Sequence, residues 1–491
     1  MRIAVYGLWH LGCVTAACLA AANHVVVGLD RDAQVVTDLQ QGQAPLHEPG
    51  LTDLIAQGLN TQHLSFTTQP VEALCEAQVL WVTFDTPVDD RDEADVEFVR
   101  TQLEHIAPAL QPGTLVLISS QVPVGFTSAL VRDWQPLGLR YAYAPENLRL
   151  GRALESFQQP ERVIIGLQDQ ADQPMLTELF APFCQRIEWM SIESAEMTKH
   201  ALNAFLATSV TFINELARLC EVLGADAKEV ERGLKSEGRI GPRAYLAPGA
   251  AFAGGTLARD VRFLMRFGQD YNIDTPLFDG VLASNQVHHG WLYTKVSQCL
   301  HTIPQPTVAV LGLTYKPGTS TLRRSAAVAL CQWLHQQGIR VQAHDPAINM
   351  LPDELQPAME LCPHPQAALS GADLAIIATE WPDYRTLRAE DFVHAMRRPQ
   401  IIDQNWFLSG SLAGEQRLTY VATGKASANV NALKLQYHPP IRSNAKPANA
   451  HSVIFFDTGM NKGTSPRIFS HPVNASKYSG NFDTLTKCST A

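Results

Sequence analysis

The first thirty residues predict a glycine turn between a buried strand and a helix. This order of elements occurs in few fold classes. Residues 3–6 and 25–30 are short apolar runs typical of buried parallel strands, and an alanine-rich helical segment joins them. Gly7 and Gly12 border the turn after the first run, so the chain can bend sharply there. This succession of strand, turn, helix and strand predicts the first unit of a doubly wound parallel sheet.

The turn has two of the three glycines that a dinucleotide-binding turn uses. Gly7 would make the tight bend and Gly12 would let the helix pack on the strand, whereas Trp9 replaces the middle glycine that admits a pyrophosphate. Asp30 ends the second strand, 18 residues beyond Gly12, where a carboxylate accepts hydrogen bonds from an adenosine ribose. Because Asp30 would repel a 2′-phosphate, we predict NAD rather than NADP, with the Trp9 side chain pointing away from the pyrophosphate.

The apolar strand pattern stops near residue 193 and returns near residue 308. Between these positions, helical patterns cover about 196–223 and 273–300. We therefore predict an α/β protein in which a helical domain joins two Rossmann-like domains, each with a doubly wound parallel sheet. The predicted domains are 1–195, 196–301 and 302–424, followed by a weakly ordered tail, 425–491, that is rich in Ser, Asn, Lys and Pro.

Composition excludes several classes of partner. The 491 residues include 38 basic and 48 acidic side chains. The resulting net charge of −10 argues against a protein that binds nucleic acid or an acidic membrane surface. The nine cysteines form no CxxC pair, which predicts a cytoplasmic protein without a metal site. The longest apolar region, 13–29, contains Asn23 and His24, so we expect a helix and a strand rather than a membrane span or a signal peptide.

Several short motifs occur in a fixed order along the chain. They are PLHEPGL (45–51), Thr86-Pro87, VPVG (122–125), PENL (145–148), KHALNAF (199–205), FINE (212–215), RIG (239–241), AGGTLARD (253–260), LTYKP (313–317) and LRRS (322–325). In this order they resemble the motifs of the UDP-glucose/GDP-mannose dehydrogenase family, and the likeness covers residues 1 to about 424. The likeness is specific, because so many spaced motifs rarely share one order by chance.

The resemblance implies an N-terminal NAD-binding domain, a helical dimerisation domain and a C-terminal nucleotide-sugar domain, in a homodimer of polysaccharide biosynthesis. It implies that the C6 alcohol of a nucleotide sugar, most simply a UDP-hexose, is oxidised to a carboxylate with two NAD per turnover. In the family a cysteine attacks the intermediate aldehyde. The matching positions are Gly7, Leu11, Gly12, Asp30, Thr86 and Pro87 for the cofactor; Lys199, Asn203, Asp260, Glu146 and Thr256 for catalysis; and Arg239, Tyr245, Gly249, Lys316 and Arg323 for the substrate.

The chain departs from the family pattern at the nucleophile. Thr256 occupies the position of the cysteine, and Arg259 occupies that of a lysine. Gln121 and Leu150 replace two further polar groups of the family's site. An unactivated hydroxyl has a pKa far above the ~8.5 of a thiol, so Thr256 is a weak nucleophile in its place. We therefore predict that the protein carries out the first oxidation, of the alcohol, more readily than the second oxidation, of the aldehyde.

The remaining site residues suggest how a sugar alcohol would lose its proton. Lys199 and Asn203 are four residues apart on a predicted helix, so both can address one sugar oxygen. Asp260 would accept or relay the alcohol proton, and Glu146 follows a predicted strand end, where active-site groups of such sheets gather.

Two hypotheses follow. The first is an NAD-dependent dehydrogenase that stops at an aldehyde or ketone, or that reaches the acid through the hydrated aldehyde. The second is a non-catalytic relative that binds NAD and a nucleotide sugar as a sensor or assembly subunit, which the loss of the cysteine and of the middle glycine would favour.

Overall fold

The computed structural model describes residues 1–87, 94–146, 148–149, 151–253 and 256–426, which lie in one compact unit, Met1–Leu433. Two mainly parallel sheets, separated in sequence by long helices, form its framework. The predicted α/β fold is thereby confirmed. Of the predicted tail, only Lys425 and Ala426 fall within the described residues.

The first sheet has eight strands in the order β3-β2-β1-β4-β5-β6-β7-β8. Alternate residues of its central strand enter different cores: Ile3 and Val5 lie on one face, Ala4 and Tyr6 on the other. Both faces are therefore covered, as the apolar runs predict. The strands are β1 Arg2–Tyr6, β2 Val25–Leu29, β3 Leu64–Thr67, β4 Val79–Val82, β5 Leu115–Ile118, β6 Arg140–Tyr143, β7 Val163–Leu167 and β8 Ile187–Ser191.

One pair in this sheet is antiparallel, in contrast to the wholly parallel sheet predicted. Tyr143 of β6 pairs with Gly166 of β7, while all other neighbours run parallel. Among its described residues, the connection between β6 and β7 contains one short helix, Ala153–Gln158, which does not carry the chain back to the start of the sheet. As a result the chain turns at the carboxyl edge of the sheet, where Glu146 lies.

The second sheet has six parallel strands in the order β11-β10-β9-β12-β13-β14. Its first unit repeats the beginning of the chain, because Gly312 ends β9 with a φ of +94° and a helix follows. The strands are β9 Thr307–Leu311, β10 Arg340–His344, β11 Glu360–Leu361, β12 Leu374–Ile377, β13 Gln400–Asp403 and β14 Thr419–Val421.

The longest helix, α9, connects the first sheet to the helical part of the chain. The hydroxyl of Ser191 caps its start by accepting a hydrogen bond from Ser194 N, and Gly224, with a φ of 80°, ends it. Its 32 residues span about 48 Å. Among the described helices, none combines the length and apolar character that crossing a bilayer requires.

Sixteen α-helices occur in the described residues. They are α1 His10–Ala21, α2 Ala33–Gln40, α3 Leu51–Asn60, α4 Pro70–Leu74, α5 Val96–Ile106, α6 Phe126–Asp133, α7 Ala153–Gln158, α8 Gln173–Phe180, α9 Ile192–Leu223, α10 Ala227–Ser236, α11 Thr256–Asp270, α12 Pro276–Leu300, α13 Ala326–Gln336, α14 Pro365–Leu369, α15 Ala389–Ala395 and α16 Ser409–Leu412. Helices α11 and α12 pack on α9 around a small apolar core.

Candidate active site

The glycine turn between β1 and α1 is sterically constrained. Gly7 has a φ of +101°, and a Cβ there would lie 2.8 Å from the ring of Phe84. A Cβ at Gly12 would overlap the carbonyl oxygen of Gly7. Asp30, at the end of β2, accepts a hydrogen bond from Leu8 N at 2.7 Å. The turn, the helix N-terminus and the acid therefore lie together, as a dinucleotide site requires.

These residues border a cleft of about 1030 Å³, which we call the dinucleotide cleft. Its walls come from the first sheet, from α11 and from the segment between β9 and α13. Trp9 lines it with its side chain 48% exposed, so the cleft is narrowed but not closed at the position of the missing glycine. The lining residues include Gly7, Asp30, Asp85, Thr86, Pro87, Thr256, Tyr315 and Arg323.

Lys199 is buried on α9 and is held by Glu146. Its ammonium group donates to the Glu146 backbone carbonyl and to Oε1 of the same residue, the latter at 3.1 Å. Oε2 of Glu146 accepts from Leu148 N at 2.9 Å. The pair therefore fixes the chain where it leaves β6.

Asp260 lies at the centre of a second group, the Asp260 cluster, formed by Asp260, His200, Asn203 and Gln121. Oδ1 accepts from Gln121 Nε2 and lies 2.7 Å from His200 Nδ1, while Oδ2 accepts from Asn203 Nδ2. Asp260 and His200 are fully buried, and Asn203 and Gln121 nearly so. The cluster joins the end of β5 to α9 and α11.

The structure separates two residues that the sequence predicts to act on one oxygen. Lys199 and Asn203 both lie on the buried side of α9, but Lys199 donates to Glu146 and Asn203 donates to Asp260. Their side chains thus belong to different groups in the described structure. Helical spacing predicts a common face, but the partners across the interface decide where each side chain points.

Asp85 opens onto the dinucleotide cleft directly before Thr86. Asp85 is exposed at the cleft wall, and partial desolvation there, together with the charge of Glu146, raises its pKa to about 6, although His10 and Arg259 oppose the shift. The side chain of the adjacent Thr86 is held in place by a hydrogen bond, because its hydroxyl donates to the Gln121 carbonyl oxygen at 2.6 Å.

The segment before Thr256 is held by side chains from three parts of the chain. Asn214 of α9 accepts from Gly249 N at 3.0 Å, and Asn405, which follows β13, accepts from Ala250 N at 2.6 Å. His288 of α12 lies with Nε2 2.7 Å from Gly249 O. We call this set of contacts the 249 clamp. Gly254 and Gly255, between the clamp and Thr256, lie outside the described residues.

Comparison with known proteins identifies the chain. Models of the UDP-glucose/GDP-mannose dehydrogenase family match its NAD binding domain to residues 1–184, its central domain to 193–287 and its UDP binding domain to 309–409. The chain belongs to this family. The predicted family, enzyme class and cofactor are thus confirmed: the protein is an NAD-dependent dehydrogenase of the nucleotide-sugar type.

Curated relatives and solved structures in the family cover most of the chain. A UDP-glucose 6-dehydrogenase of Pseudomonas aeruginosa is 33% identical over 447 residues, which are 87% of this chain and 98% of that protein. A UDP-glucose 6-dehydrogenase of Bacillus subtilis is 31% identical over 409 residues, covering 82% and 88%. The structure of a UDP-glucose dehydrogenase from Pyrobaculum islandicum has a TM-score of 0.75 and 28% identity, covering 87% of this chain and 98% of that one.

The residues expected to bind the nucleotide sugar are dispersed. Arg239 is exposed and paired with Glu237 at 3.0 Å, and Tyr245 is exposed; neither is among the described residues that line the dinucleotide cleft. Burial lowers the pKa of Lys316, which is near Glu48. Arg323 lies in the dinucleotide cleft, on the cofactor side.

Two expected residues have packing roles in the structure. Gly249 is buried, and a Cβ there would press on the Asn405 amide, so a side chain would displace the 249 clamp. The Leu11 side chain is buried and lines a separate cavity of about 90 Å³ behind Glu146, away from the dinucleotide cleft.

The sequence interpretation missed several residues that the structure brings to the site. His200 lies inside the KHALNAF motif, and Asp85 directly precedes the Thr86-Pro87 motif. His10 Nε2 lies 2.9 Å from Oε2 of the buried Glu48 carboxylate, a hydrogen-bond distance. No group of three or more His, Cys, Asp or Glu side chains able to hold a metal ion occurs in the part of the chain that the structure describes.

Proposed function

We propose that this protein oxidises the C6 alcohol of a UDP-hexose, with an aldehyde as the main product. One observation carries the proposal: Thr256, at the position expected for the family's nucleophile, lines the same cleft as the glycine turn and Asp30. A sugar carbon placed at Thr256 would therefore adjoin the cofactor site. The relatives named UDP-glucose 6-dehydrogenase support glucose as the sugar.

The described residues fit NAD. Gly7 and Gly12 leave room where a Cβ would fill the turn, the N-terminus of α1 faces that turn, and Asp30 supplies carboxylate oxygens for a ribose. When bound, NAD supplies the acceptor for a hydride from the sugar carbon. Thr86 and Pro87 would border it on the β4 side, and Arg323 would face it from the C-terminal domain.

Lys199 and Glu146 would hold the reacting end of the sugar in place. Lys199 is a buried cation whose partner, Glu146, remains partly exposed, with 26% of its side chain accessible. An ammonium group in this position stabilises negative charge as the alcohol oxygen loses its proton, because the protein excludes much of the competing water.

Thr256 limits the second oxidation. A second hydride can leave only from a tetrahedral carbon, which the family forms by cysteine attack on the aldehyde. The Thr256 side chain is exposed at the first residue of α11, and no hydrogen bond from a described residue that would activate its hydroxyl is present. We therefore propose slow acid formation, through the hydrated aldehyde.

Product analysis tests this function. The protein is incubated with NAD and, separately, with UDP-glucose, UDP-N-acetylglucosamine, UDP-galactose and GDP-mannose, and NADH and product masses are measured. We expect UDP-glucose to give one NADH and a product two hydrogens lighter. Binding of NAD and nucleotide sugar without any NADH would overturn the proposal and indicate a sensor or assembly subunit.

Substitution of Lys199 tests the site. Lys199→Ala is expected to lower kcat/KM by about 10²-fold, the usual scale for loss of a positioned catalytic group. Arg232→Ala is a control at an exposed position on α10 and should behave like the unmodified protein. Equal rates in all three proteins would remove Lys199 from the mechanism.

A further inference from the structure

The PLHEPGL motif supplies a buried carboxylate, Glu48, that the proposed function does not use. Burying a carboxylate is costly unless hydrogen bonds satisfy its oxygens. Gly151 N donates to Oε2 and Ala153 N donates to Oε1, each at 2.8 Å, and Nε2 of His10 lies 2.9 Å from Oε2. We call Glu48 with these three partners the Glu48 bridge.

The bridge connects the two parts of the candidate active site. His10 is the first residue of α1 and directly follows Trp9, which lines the dinucleotide cleft. Gly151 and Ala153 lie five and seven residues beyond Glu146, where the proposed function places the reacting end of the sugar. One side chain therefore holds the cofactor turn and the segment that follows the sugar site.

The two side chains of the bridge do not border either open space at the site. Neither His10 nor Glu48 is among the described residues that line the dinucleotide cleft or the cavity behind Glu146. Their effect on a ligand in the cleft must therefore pass through the segments that they hold. A small displacement of such segments is costly, because about 1 Å of misplacement can lower a rate about 10²-fold.

The C-terminal domain meets the bridge at the same segment. Gly151 has a φ of +82°, and a Cβ there would lie 3.8 Å from the Pro317 carbonyl oxygen. Burial lowers the pKa of the neighbouring Lys316, and the charge of Glu48 opposes this shift, so the carboxylate acts on a residue expected to bind substrate. The position of the 151–153 segment thus affects the substrate side from both domains.

We propose that the Glu48 bridge couples the two sites, so that cofactor at the glycine turn and nucleotide sugar at Glu146 strengthen each other's binding. The start of α1 becomes fixed when the turn is occupied. His10 then fixes Glu48 and the 151–153 segment, so the second ligand loses less free energy in ordering that segment. Glu48 and His10 are positioning residues in this scheme, which rests on the proposed function.

Amide hydrogen exchange in the unmodified protein is the first test, resolved to single residues by fragmentation mass spectrometry. The ligand is NADH, which cannot accept a hydride, so no oxidation occurs. NADH should slow exchange of the Gly151 and Ala153 amides by at least about fivefold, the lower end of usual coupling between sites. The Lys228 amide, which donates to Asp226 Oδ1 at the start of α10, is the matched control and should not change. Equal rates at 151 and 153 with and without NADH would overturn the inference.

Substitution of His10 is the second test. His10→Phe keeps a ring but removes the nitrogen that reaches Glu48, and His105→Phe, at an exposed position on α5, is the matched control. The Kd for NADH is measured by its fluorescence, with and without UDP-glucose. UDP-glucose should lower this Kd at least about fivefold in the unmodified protein and in His105→Phe, but less than about twofold in His10→Phe.

The outcomes separate this inference from the proposed function. The inference is overturned if UDP-glucose lowers the Kd equally in His10→Phe and in the unmodified protein, or if the unmodified protein binds both ligands independently. Failure of UDP-glucose to bind at all would instead refute the proposed function. The amide exchange with NADH alone would then still decide whether the turn and the 151–153 segment are coupled, and it needs no folded variant.

Discussion

At the scale of single residues, Thr256 determines the expected oxidation level. The first hydride needs only a deprotonated alcohol, so Thr256→Ala should retain most of the rate of the first oxidation. A thiol at the same place could attack the aldehyde, because its pKa of ~8.5 yields some thiolate near neutral pH. Thr256→Cys should therefore raise the ratio of NADH to sugar above one. The measurement is NADH released per UDP-glucose consumed; two NADH from the unmodified protein at equal rates would contradict the assignment.

The Asp260–His200 pair makes a separate prediction about stability. Removing one member of this buried, hydrogen-bonded pair leaves a polar atom of the other without its partner, at a cost of about 1–3 kcal/mol. Asp260→Asn should therefore lower the unfolding temperature strongly. His200→Phe, among the rings of Phe263 and Phe267, removes the imidazole that Asp260→Asn would leave without its carboxylate partner. Thermal unfolding of the two single variants and the double variant checks this.

The double variant should lose much less than the sum of the two single losses. Additive losses would show that the two side chains do not stabilise each other. This comparison of the single and double variants requires no substrate, so it stays informative even if the oxidised sugar differs from glucose.

At the scale of elements, α9 has an apolar side that the described residues leave uncovered. Phe205, Leu219, Val222 and Leu223 are exposed, at 71%, 56%, 67% and 78%. Large exposed apolar side chains on one helix are typical of an interface. We therefore expect a homodimer that buries this side of α9.

A pair of matched valines tests the dimer. Val222 on α9 and Val71 on α4 are equally exposed, at 67% and 68%. Val222→Glu would place a charge in the expected interface and should shift the light-scattering mass towards the monomer, whereas Val71→Glu should leave the mass unchanged. A concentration-independent monomer before any substitution would remove the dimer proposal.

At the scale of the whole molecule, the 249 clamp joins parts of the chain that are distant in sequence. Its member His288 is buried, and this burial lowers its pKa to about 4. Since the unfolded pKa is near 6.5, the unfolded chain binds more protons between pH 6.5 and 4, and stability is lost as pH falls through this window. The loss from this one group is about 3 kcal/mol.

His288→Gln removes this proton-binding group but keeps a donor for the Gly249 carbonyl. Its unfolding temperature should therefore fall less between pH 7 and pH 4.5 than that of the unmodified protein. His335→Gln, at an exposed position on α13, is the control and should follow the unmodified protein. Parallel curves for all three proteins would show that His288 does not contribute to acid sensitivity.

Much of the fold was predictable because it depends on local patterns. The predicted apolar runs at residues 3–6 and 25–30 correspond to β1, Arg2–Tyr6, and β2, Val25–Leu29, since buried parallel strands need continuous apolar residues. The reversal of β7 was not predictable, because strand direction depends on how the connecting segment packs, and the apolar run is the same either way.

By itself, the sequence determined the glycine turn, the acid at the end of β2, the two sheets and the family, because each depends on residue types at short, ordered spacings. Only the tertiary structure decided which polar groups meet. Lys199 and Asn203 share a helix face, yet they bind Glu146 and Asp260, residues that lie 53 and 57 positions away along the chain. Asp260 and Asp85 carry the same chemical group, and it is the surrounding protein that encloses one and opens the other to the cleft. Burial and hydrogen-bond partners set the charge and reach of a carboxylate, and both arise from packing between distant segments.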